Sequence, residues 1–298
     1  MKNLVIGASG QVGKELMIAL NHHGNQVIGT YCGTKHKKLI GAKHKKLIQL
    51  DITDREQTFA VIEEVNPNCV YLTSALTNVD QCELMPDKSL AINAHGVKNV
   101  ADALNNHCKL VLFSTDYVFD GKNGPYYPQD ICNPINKYGL HKLAAENYIS
   151  NRLKKYLIVR TCGVFSPRDK KNFASRLVDE ILSDQELSIV DDQIGTPTYA
   201  PHLAEAVIKH TGYAGYDQKI LHISNNLALS RFDFAQSIAS CFDKEHLVKR
   251  IKSDDIKQMA RRPMNCGVHC SPLEVPTLNT AIAHFAKSYK HINERSDT

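Results

Sequence analysis

Three glycines, spaced three residues apart, follow a short apolar run near the start of the chain. The apolar residues Leu4–Ile6 lead into Gly7-Ala8-Ser9-Gly10-Gln11-Val12-Gly13, and Leu16, Met17 and Leu20 then recur at helical spacing. A strand, a glycine turn and a helix in this order let the backbone approach a pyrophosphate, whose charge the helix N-terminus attracts. The sequence therefore predicts a dinucleotide site formed by Gly7, Gly10, Gln11, Val12 and Gly13.

Apolar strands and amphipathic helices continue to alternate along the chain. Further strands are predicted at Gln26–Thr30, Leu47–Leu50, Cys69–Leu72, Leu110–Phe113 and Tyr156–Arg160. Such alternation is typical of an α/β protein with a Rossmann-like, doubly wound parallel sheet. We expect a dinucleotide-binding domain over residues 1–165, completed by about 197–226. Residues 166–196 and 227–298 are expected to form a smaller, mostly C-terminal substrate-binding lobe.

One long helix is predicted over Pro86–Asn106, because apolar residues recur there at helical spacing. Asn93 lies off the apolar stripe of this helix. Its side chain is expected to support the backbone of the site or of a nearby turn.

The composition, with 43% hydrophobic and 22% charged residues, is that of an ordinary soluble chain. Because no cleavable apolar leader and no run of membrane-spanning length is present, we expect a cytoplasmic protein without a membrane partner. The nine cysteines form no Cys-x-x-Cys pair, and their odd number fits reduced thiols. Cys266, His269 and Cys270 lie close together, but no second ligand cluster accompanies them, so no metal site is predicted.

The positive charge of the chain is local. The formal net charge is +5, yet six of the 36 basic residues fall between Lys35 and Lys46, where Lys-His-Lys-Lys-Leu-Ile occurs at 35–40 and again at 43–48. No aromatic residues alternate with these lysines, so the repeat is not typical of a nucleic-acid surface. We expect no nucleic-acid partner.

A hydroxyl, a phenol and an ammonium group are brought together by residues 114–142. Thr115 follows an apolar run and so stands at the carboxyl end of a predicted strand, where open α/β sheets bind ligands. Pro134 is well placed to open the next helix, on which Tyr138 and Lys142 are four residues apart and share one face. A neighbouring positive charge favours the phenolate and should move the pKa of Tyr138 towards neutrality. The pattern predicts a site of proton transfer.

These motifs resemble the extended short-chain dehydrogenase/reductases, and most of all the dTDP-4-dehydrorhamnose reductase family, over nearly the whole chain. The resemblance implies that Thr115, Tyr138 and Lys142 form the catalytic site, and that the last two also contact the cofactor. It implies an NADP-dependent oxidoreductase of dTDP-rhamnose biosynthesis, which reduces a nucleotide-linked 4-keto-6-deoxysugar.

The resemblance also implies further ligand contacts. Asp51 and Ile52 would flank the adenine ring, and Ala75 and Thr77 would lie beside the nicotinamide, in a segment similar to the family's Ala-Ala-x-Thr-x-Val-Asp. An adjacent pair of arginines suits a diphosphate, because each guanidinium can contact phosphate oxygens in a bidentate manner. The residues expected to bind substrate are Thr115, Asp116, Asn172, Arg261 and Arg262.

The choice of cofactor follows from a missing acid. NAD enzymes usually place an Asp or Glu about 20 residues beyond the first glycine, where it binds the ribose 2′-hydroxyl. Here no acid occurs between Glu15 and Asp51, and Lys35, Lys37 and Lys38 follow the second strand. The sequence favours NADPH, with Lys35 as a ligand of its 2′-phosphate, and leaves NADH as the alternative.

Two departures from the family pattern keep other functions open, and one of them is that the family's proline and tryptophan near the C-terminus appear here only as Pro276-Thr277. The family commonly has a Trp after Arg-Thr, but this chain has Cys162 there and contains no Trp. A non-catalytic, cofactor-binding regulator similar to the β subunit of methionine adenosyltransferase is therefore the alternative, and the partner would be a second copy or a larger enzyme. A sugar-nucleotide dehydratase is disfavoured, because Tyr117 stands where those enzymes tend to carry a Glu.

Overall fold

The computed structural model describes residues 1–33, 47–211, 217–271 and 275–294, so Lys35, Lys37 and Lys38 lie outside the described residues. The described strands are β1 (Lys2–Ile6), β2 (Gln26–Tyr31), β3 (Leu47–Gln49), β4 (Cys69–Leu72), β5 (Lys109–Thr115), β6 (Tyr156–Phe165), β7 (Leu187–Val190), β8 (Ile194–Gly195), β9 (Pro197–Tyr199), β10 (Lys219–His222), β11 (Leu229–Ser230) and β12 (Val248–Ile251).

Eight of these strands form one parallel sheet, in the order β10-β6-β5-β4-β1-β2-β3, with β9 paired to the outer part of β6. The order 3-2-1-4-5-6 within it is the doubly wound arrangement of dinucleotide-binding folds. The predicted fold class is confirmed. Two small sheets, β11 with β8 and β12 with β7, lie outside it.

The described helices lie on both faces of the main sheet and in the lobe beside it. They are α1 (Gln11–His22), α2 (Arg55–Val65), α3 (Val79–Leu84), α4 (Pro86–Leu90), α5 (Gly96–Ala103), α6 (Lys137–Arg152), α7 (Phe173–Leu182), α8 (Ala200–Thr211), α9 (Arg231–Ala239) and α10 (Leu278–Glu294). None of the helices in the described ranges is long and apolar enough to cross a membrane.

Alternation along the strands divides the core into two layers. In β1, Leu4 and Ile6 pack with α2, α5 and α6, whereas Val5 faces α1 and α8. Successive side chains of a strand point to opposite faces, so each strand contributes to both layers. A third cluster joins α7, α9 and α10 around Phe285 and forms the core of the lobe.

The predicted helix over 86–106 differs from the observed one. The chain forms α4, then a π-helical segment at Ala91–His95, then α5, which ends at Ala103. The extra residue of a π-bulge re-aims the side chains beside it, and such bulges are frequent at functional sites. Asn93, within this segment, is fully buried.

Candidate active site

A cavity of about 580 Å³ lies at the carboxyl ends of the central strands, between the main sheet and the lobe. This is the place where open α/β sheets bind their ligands. The sheet side of its wall contains Gly10, Ala75, Thr115 and Tyr138, and residues of α7, β8 and α9 close the other side.

The glycine turn forms one end of this cavity. Gly7 has φ +90°, and a Cβ there would come within 2.8 Å of the Ser74 backbone N. A Cβ on Gly13 would lie 2.2 Å from the carbonyl oxygen of Gly7. The turn therefore requires glycine at both positions to pack α1 closely on the sheet.

The residues at this end fit a dinucleotide. Gly10, Gln11 and Val12 line the cavity where α1 begins, so the helix N-terminus faces it. The buried Nε2 atom of Gln11 has no hydrogen-bond partner among the described residues. A donor buried without a partner is costly, and a phosphate oxygen is the kind of acceptor that would satisfy it.

Asn93 holds the segment expected beside the nicotinamide. Its Oδ1 accepts from the Leu76 N–H at 2.9 Å, and its Nδ2 donates to the Leu76 carbonyl oxygen at 3.0 Å. Leu76 stands between Ala75 and Thr77, and both of these line the cavity. Asn93 thus holds the backbone of a segment that lines the cavity.

Thr115 and Asp116 are coupled at the end of β5. The Thr115 hydroxyl donates to Asp116 Oδ1 at 3.0 Å and accepts from the Tyr117 N–H. Asp116 is 3% exposed, and no N–H or O–H group of the described residues donates to its Oδ2. Burial raises the pKa of Asp116 to about 6, while hydrogen bonds with Cys162 and Thr115 act in the opposite direction. An unsatisfied carboxylate oxygen at the cavity wall can accept from a ligand hydroxyl.

Tyr138 lies beside Thr115, but its phenol is not activated as the sequence predicted. Burial raises the pKa of Tyr138, the charge of Asp116 raises it further, and a hydrogen bond with Thr115 opposes both. The predicted shift towards neutrality is therefore wrong. The phenol keeps its proton at neutral pH, which suits a proton donor.

Lys142 is held by the strand rather than by the phenol. Its buried Nζ donates to the Phe113 carbonyl oxygen at 2.6 Å. Burial lowers its pKa to about 8, while Glu146 raises it. One turn further along α6, Glu146 accepts from the Ser114 hydroxyl and pairs with Arg160, whose side chain is 3% exposed.

The helix that carries Tyr138 begins later than predicted. Its first residue is Lys137, and Asn136 caps it by accepting from the Gly139 N–H at 2.9 Å. Asn136 is the cap because its side chain accepts from a free N–H at the helix start. Pro134, two residues earlier, therefore lies outside the helix. Asn136 also donates to the Arg261 carbonyl oxygen, which ties the helix start to the C-terminal part of the chain.

Comparisons with known proteins assign the chain to a family. Residues 1–296 match the family model described as the RmlD substrate binding domain. The chain belongs to the RmlD substrate binding domain family. The dTDP-4-dehydrorhamnose reductase of Aggregatibacter actinomycetemcomitans is 31% identical over 274 residues, which cover 88% of this chain and 88% of that protein.

Other members of the RmlD family agree with this assignment. The spore coat polysaccharide biosynthesis protein SpsK of Bacillus subtilis is 33% identical over 264 residues, which cover 88% of this chain and 87% of SpsK. The crystal structure of dTDP-4-dehydrorhamnose reductase from Bacillus anthracis, in complex with NADP, has 31% identity and a TM-score of 0.85, and the match covers 96% of this chain and 99% of that one. The resemblance drawn from the sequence is confirmed.

Two predicted substrate residues have other side-chain partners in the structure, and a third is exposed. Arg262 forms two 2.9 Å hydrogen bonds with the carboxylate of Asp80, and Arg261 is exposed; neither lines the cavity. Asn172 does line it, but its amide caps α7 by accepting from the Ser175 N–H and donates to the Ser166 carbonyl oxygen. Asp80 engages the guanidinium of Arg262, and Arg261 is exposed outside the cavity wall, so the assignment of the arginine pair to a diphosphate stays a prediction.

The predicted adenine contacts lie beyond the cavity wall. Ile52 is 4% exposed and packs in the core, where a Cβ on Gly96 would approach its side chain to 2.6 Å. Most of its side chain is thus covered by the core, and its contact with the adenine ring stays a prediction. Asp51 is exposed after β3, and its carboxylate accepts from the Thr53 hydroxyl and N–H. Its role stays a prediction.

Tyr117 and Arg231 are among the cavity-lining residues that the sequence reasoning did not single out as site residues. The Tyr117 ring meets the Tyr138 ring edge to face, with centroids 6.3 Å apart, and Arg231 lines the lobe side. Cys162, at the position of the missing Trp, also lines it and accepts from the Thr196 N–H at 3.3 Å. No local sequence signal marked Arg231, because it follows Ser230 and precedes Asp233 by two residues in an ordinary mixed stretch.

The cysteines near the C-terminus contact backbone rather than one another. Cys266 Sγ lies 3.4 Å from the Asp116 carbonyl oxygen, and Cys270 Sγ lies 3.4 Å from that of Ser224. The His269 ring stacks on Tyr127. In the described part of the chain, no three His, Cys, Asp or Glu side chains are grouped so as to hold a metal ion.

Proposed function

We propose that this chain is an NADPH-dependent reductase of a nucleotide-linked 4-keto-6-deoxysugar, similar in activity to the dTDP-4-dehydrorhamnose reductases of its family. The observation that carries the proposal is the position of Thr115, Tyr138 and Lys142 at one cavity wall, next to a glycine turn that fits a dinucleotide. Relatives of 31% identity that bear this name support it.

The proposed chemistry transfers a hydride and a proton to one carbonyl group. When bound, the reduced nicotinamide supplies the hydride that adds to the carbonyl carbon. Tyr138 donates its phenolic proton to the oxygen, so that C=O becomes CH–OH. The Thr115 hydroxyl turns from Asp116 to the same oxygen and stabilises the charge that develops there.

Lys142 contributes its charge. With its Nζ fixed on the Phe113 carbonyl, the ammonium group lies under the end of β5 and is buried. A fixed positive charge near the reaction stabilises the phenolate that Tyr138 leaves after proton donation. The same group is proposed to hold the cofactor ribose.

The rival functions have less support. Tyr117, at the position where dehydratases tend to have an acid, is a neutral phenol whose pKa is raised by burial. The comparisons favour the reductase over the regulatory alternative. Assays of nucleotide-linked 4-ketosugars with NADPH test the proposal: oxidation of NADPH with a member of such a panel supports it, and cofactor binding without any turnover supports the regulator. Mass measurement in solution tests the expected homodimer or larger complex.

A further inference from the structure

The lobe side of the cavity carries an arginine that has no place in the mechanism above. Arg231 is the first residue of α9, whose cap Ser230 accepts from the Asp233 N–H. The Arg231 N–H donates to the Gln193 carbonyl oxygen at 3.0 Å. These bonds fix the helix start against the loop that precedes β8, so the position of the arginine is set by the backbone.

The guanidinium of Arg231 is available for a ligand. Six of the nine arginines in the described part of the chain form ion pairs with carboxylates: Arg55, Arg152, Arg160, Arg168, Arg250 and Arg262. Arg231 has no such partner there, and its guanidinium lies over the Phe173 ring, 5.0 Å from the centroid. Stacking on a ring orients the guanidinium plane and leaves the N–H donors at its edge for an anion.

The position of this charge relates it to the reacting groups. Burial and the charge of Asp116 raise the pKa of Tyr117, and the charges of Arg231 and Arg262 both act in the opposite direction. The Tyr117 ring in turn contacts Tyr138. Arg231, at the start of α9, therefore lies on the lobe side of the cavity that also contains the proton donor.

Two neighbours give this region the character of a binding site. Lys171 also lines the cavity. Its backbone N–H donates to the carboxylate of Asp169, an acid that lines the same part of the wall. Gln193 is 4% exposed and lines the cavity, and its Oε1 has no hydrogen-bond partner among the described residues. A buried amide oxygen without a donor points to a ligand that supplies one, such as a hydroxyl or a base N–H.

We propose that Arg231 binds the diphosphate of the nucleotide-linked substrate, in the role that the sequence suggested for Arg261 and Arg262. The nature of the ligand rests on the proposed function. The guanidinium faces the phosphates, and the keto end of the same molecule reaches Thr115 and Tyr138. Bidentate contact with phosphate oxygens is what a planar, stacked guanidinium provides.

The test compares nucleotide with nucleoside, so that it needs no turnover. Binding of dTDP and UDP, each against its own nucleoside, is measured by calorimetry with NADP⁺ present. The unmodified protein should prefer at least one diphosphate to its nucleoside. Arg231→Met should lower the affinity for that diphosphate by about tenfold to a hundredfold. The affinities for the nucleoside and for NADP⁺ should not change. Arg231→Lys should lose less affinity for the diphosphate, because lysine keeps the positive charge but lacks the paired N–H donors of a guanidinium.

Arg176→Met is the matched control, because this arginine is exposed on α7 and lies outside the cavity lining. This variant should change neither the affinity for the diphosphate nor that for the nucleoside. Unchanged diphosphate binding in Arg231→Met, equal losses for nucleotide and nucleoside, or no preference in the unmodified protein would each overturn the inference. If dTDP binding depends on Arg231 but no ketosugar is reduced, the reductase proposal fails and this one stands. If the unmodified protein and Arg231→Met both reduce a ketosugar with equal KM, the reductase proposal stands and the role of Arg231 is wrong.

Discussion

The ammonium group of Lys142 donates to the carbonyl oxygen of Phe113, with 2.6 Å between the two atoms. Phe113 lies two residues before Thr115 on β5, so this bond fixes the charge directly beneath the reacting groups. Lys142 is 2% exposed, and burial lowers its pKa to about 8. The charge required by the phenolate is therefore lost in the mildly alkaline range.

The first prediction is an alkaline limit set by Lys142. Its pKa is lowered, so the charged form persists below about pH 8 and is lost as the pH rises through that value. Burial raises the pKa of Tyr138, so the phenol does not ionise in this range. We expect kcat for ketosugar reduction to fall above about pH 8. The pH profile of kcat tests this, and a flat profile well into the alkaline range would exclude Lys142 as the titrating group.

The second prediction concerns Glu146, which raises the pKa of Lys142 and pairs with Arg160. Glu146→Gln should shift the alkaline limb to lower pH. It should also lower the free energy of unfolding by about 3 to 5 kcal/mol, since it leaves a buried guanidinium without its partner. Denaturant unfolding and the pH profile are measured together. Glu63→Gln, at an exposed position of α2, should change neither; a destabilised Glu146→Gln with an unmoved limb would limit this residue to a structural role.

The third prediction assigns an acid limb to Asp116. Burial raises its pKa to about 6, so the carboxylate is ionised above that value and protonated below it. The ionised group accepts from Thr115 and offers its free oxygen to substrate. We expect kcat/KM to fall as the pH falls through about 6. Asp116→Asn should have the low value throughout and lack this limb; an acid limb that persists in the variant would have another origin.

The fourth prediction is that NADPH binds more tightly than NADH, because no acid occurs between Glu15 and Asp51 to bind a 2′-hydroxyl. Lys35→Ala should reduce the preference by about tenfold to a hundredfold. Lys154→Ala, just before the amino end of β6, serves as the control. Fluorescence titration with both cofactors decides, and equal affinities in the unmodified protein would refute the assignment.

The parts of the site that the sequence predicted are those written in local patterns. The spacing of Gly7 and Gly13 is enough to predict the glycine turn. The apolar residues before Thr115 are enough to predict that it ends a strand. The raised pKa of Tyr138 was not predictable, because it depends on burial in the folded protein and on the charge of Asp116. The four-residue spacing of Tyr138 and Lys142 predicted only that a positive charge lies near the phenol.

Long-range pairing explains the other differences. Arg262 was expected in the cavity, but its partner Asp80 lies 182 residues away in the sequence. Arg231 reaches the cavity only because α9 begins beside the Gln193 loop. The π-helical segment arises where Asn93 turns inward to Leu76. No pattern within a single helix or strand encodes such contacts.

The central claim is that Tyr138 gives the proton to the substrate, and Tyr138→Phe tests it most directly. The substitution removes one hydroxyl and keeps the ring, so folding and NADPH affinity should change little. Tyr127→Phe, at a half-exposed tyrosine outside the cavity, is the control. Steady-state oxidation of NADPH with an accepted ketosugar should show kcat lowered by about 10² to 10⁴ in Tyr138→Phe and unchanged in the control. Full activity of Tyr138→Phe would contradict the account.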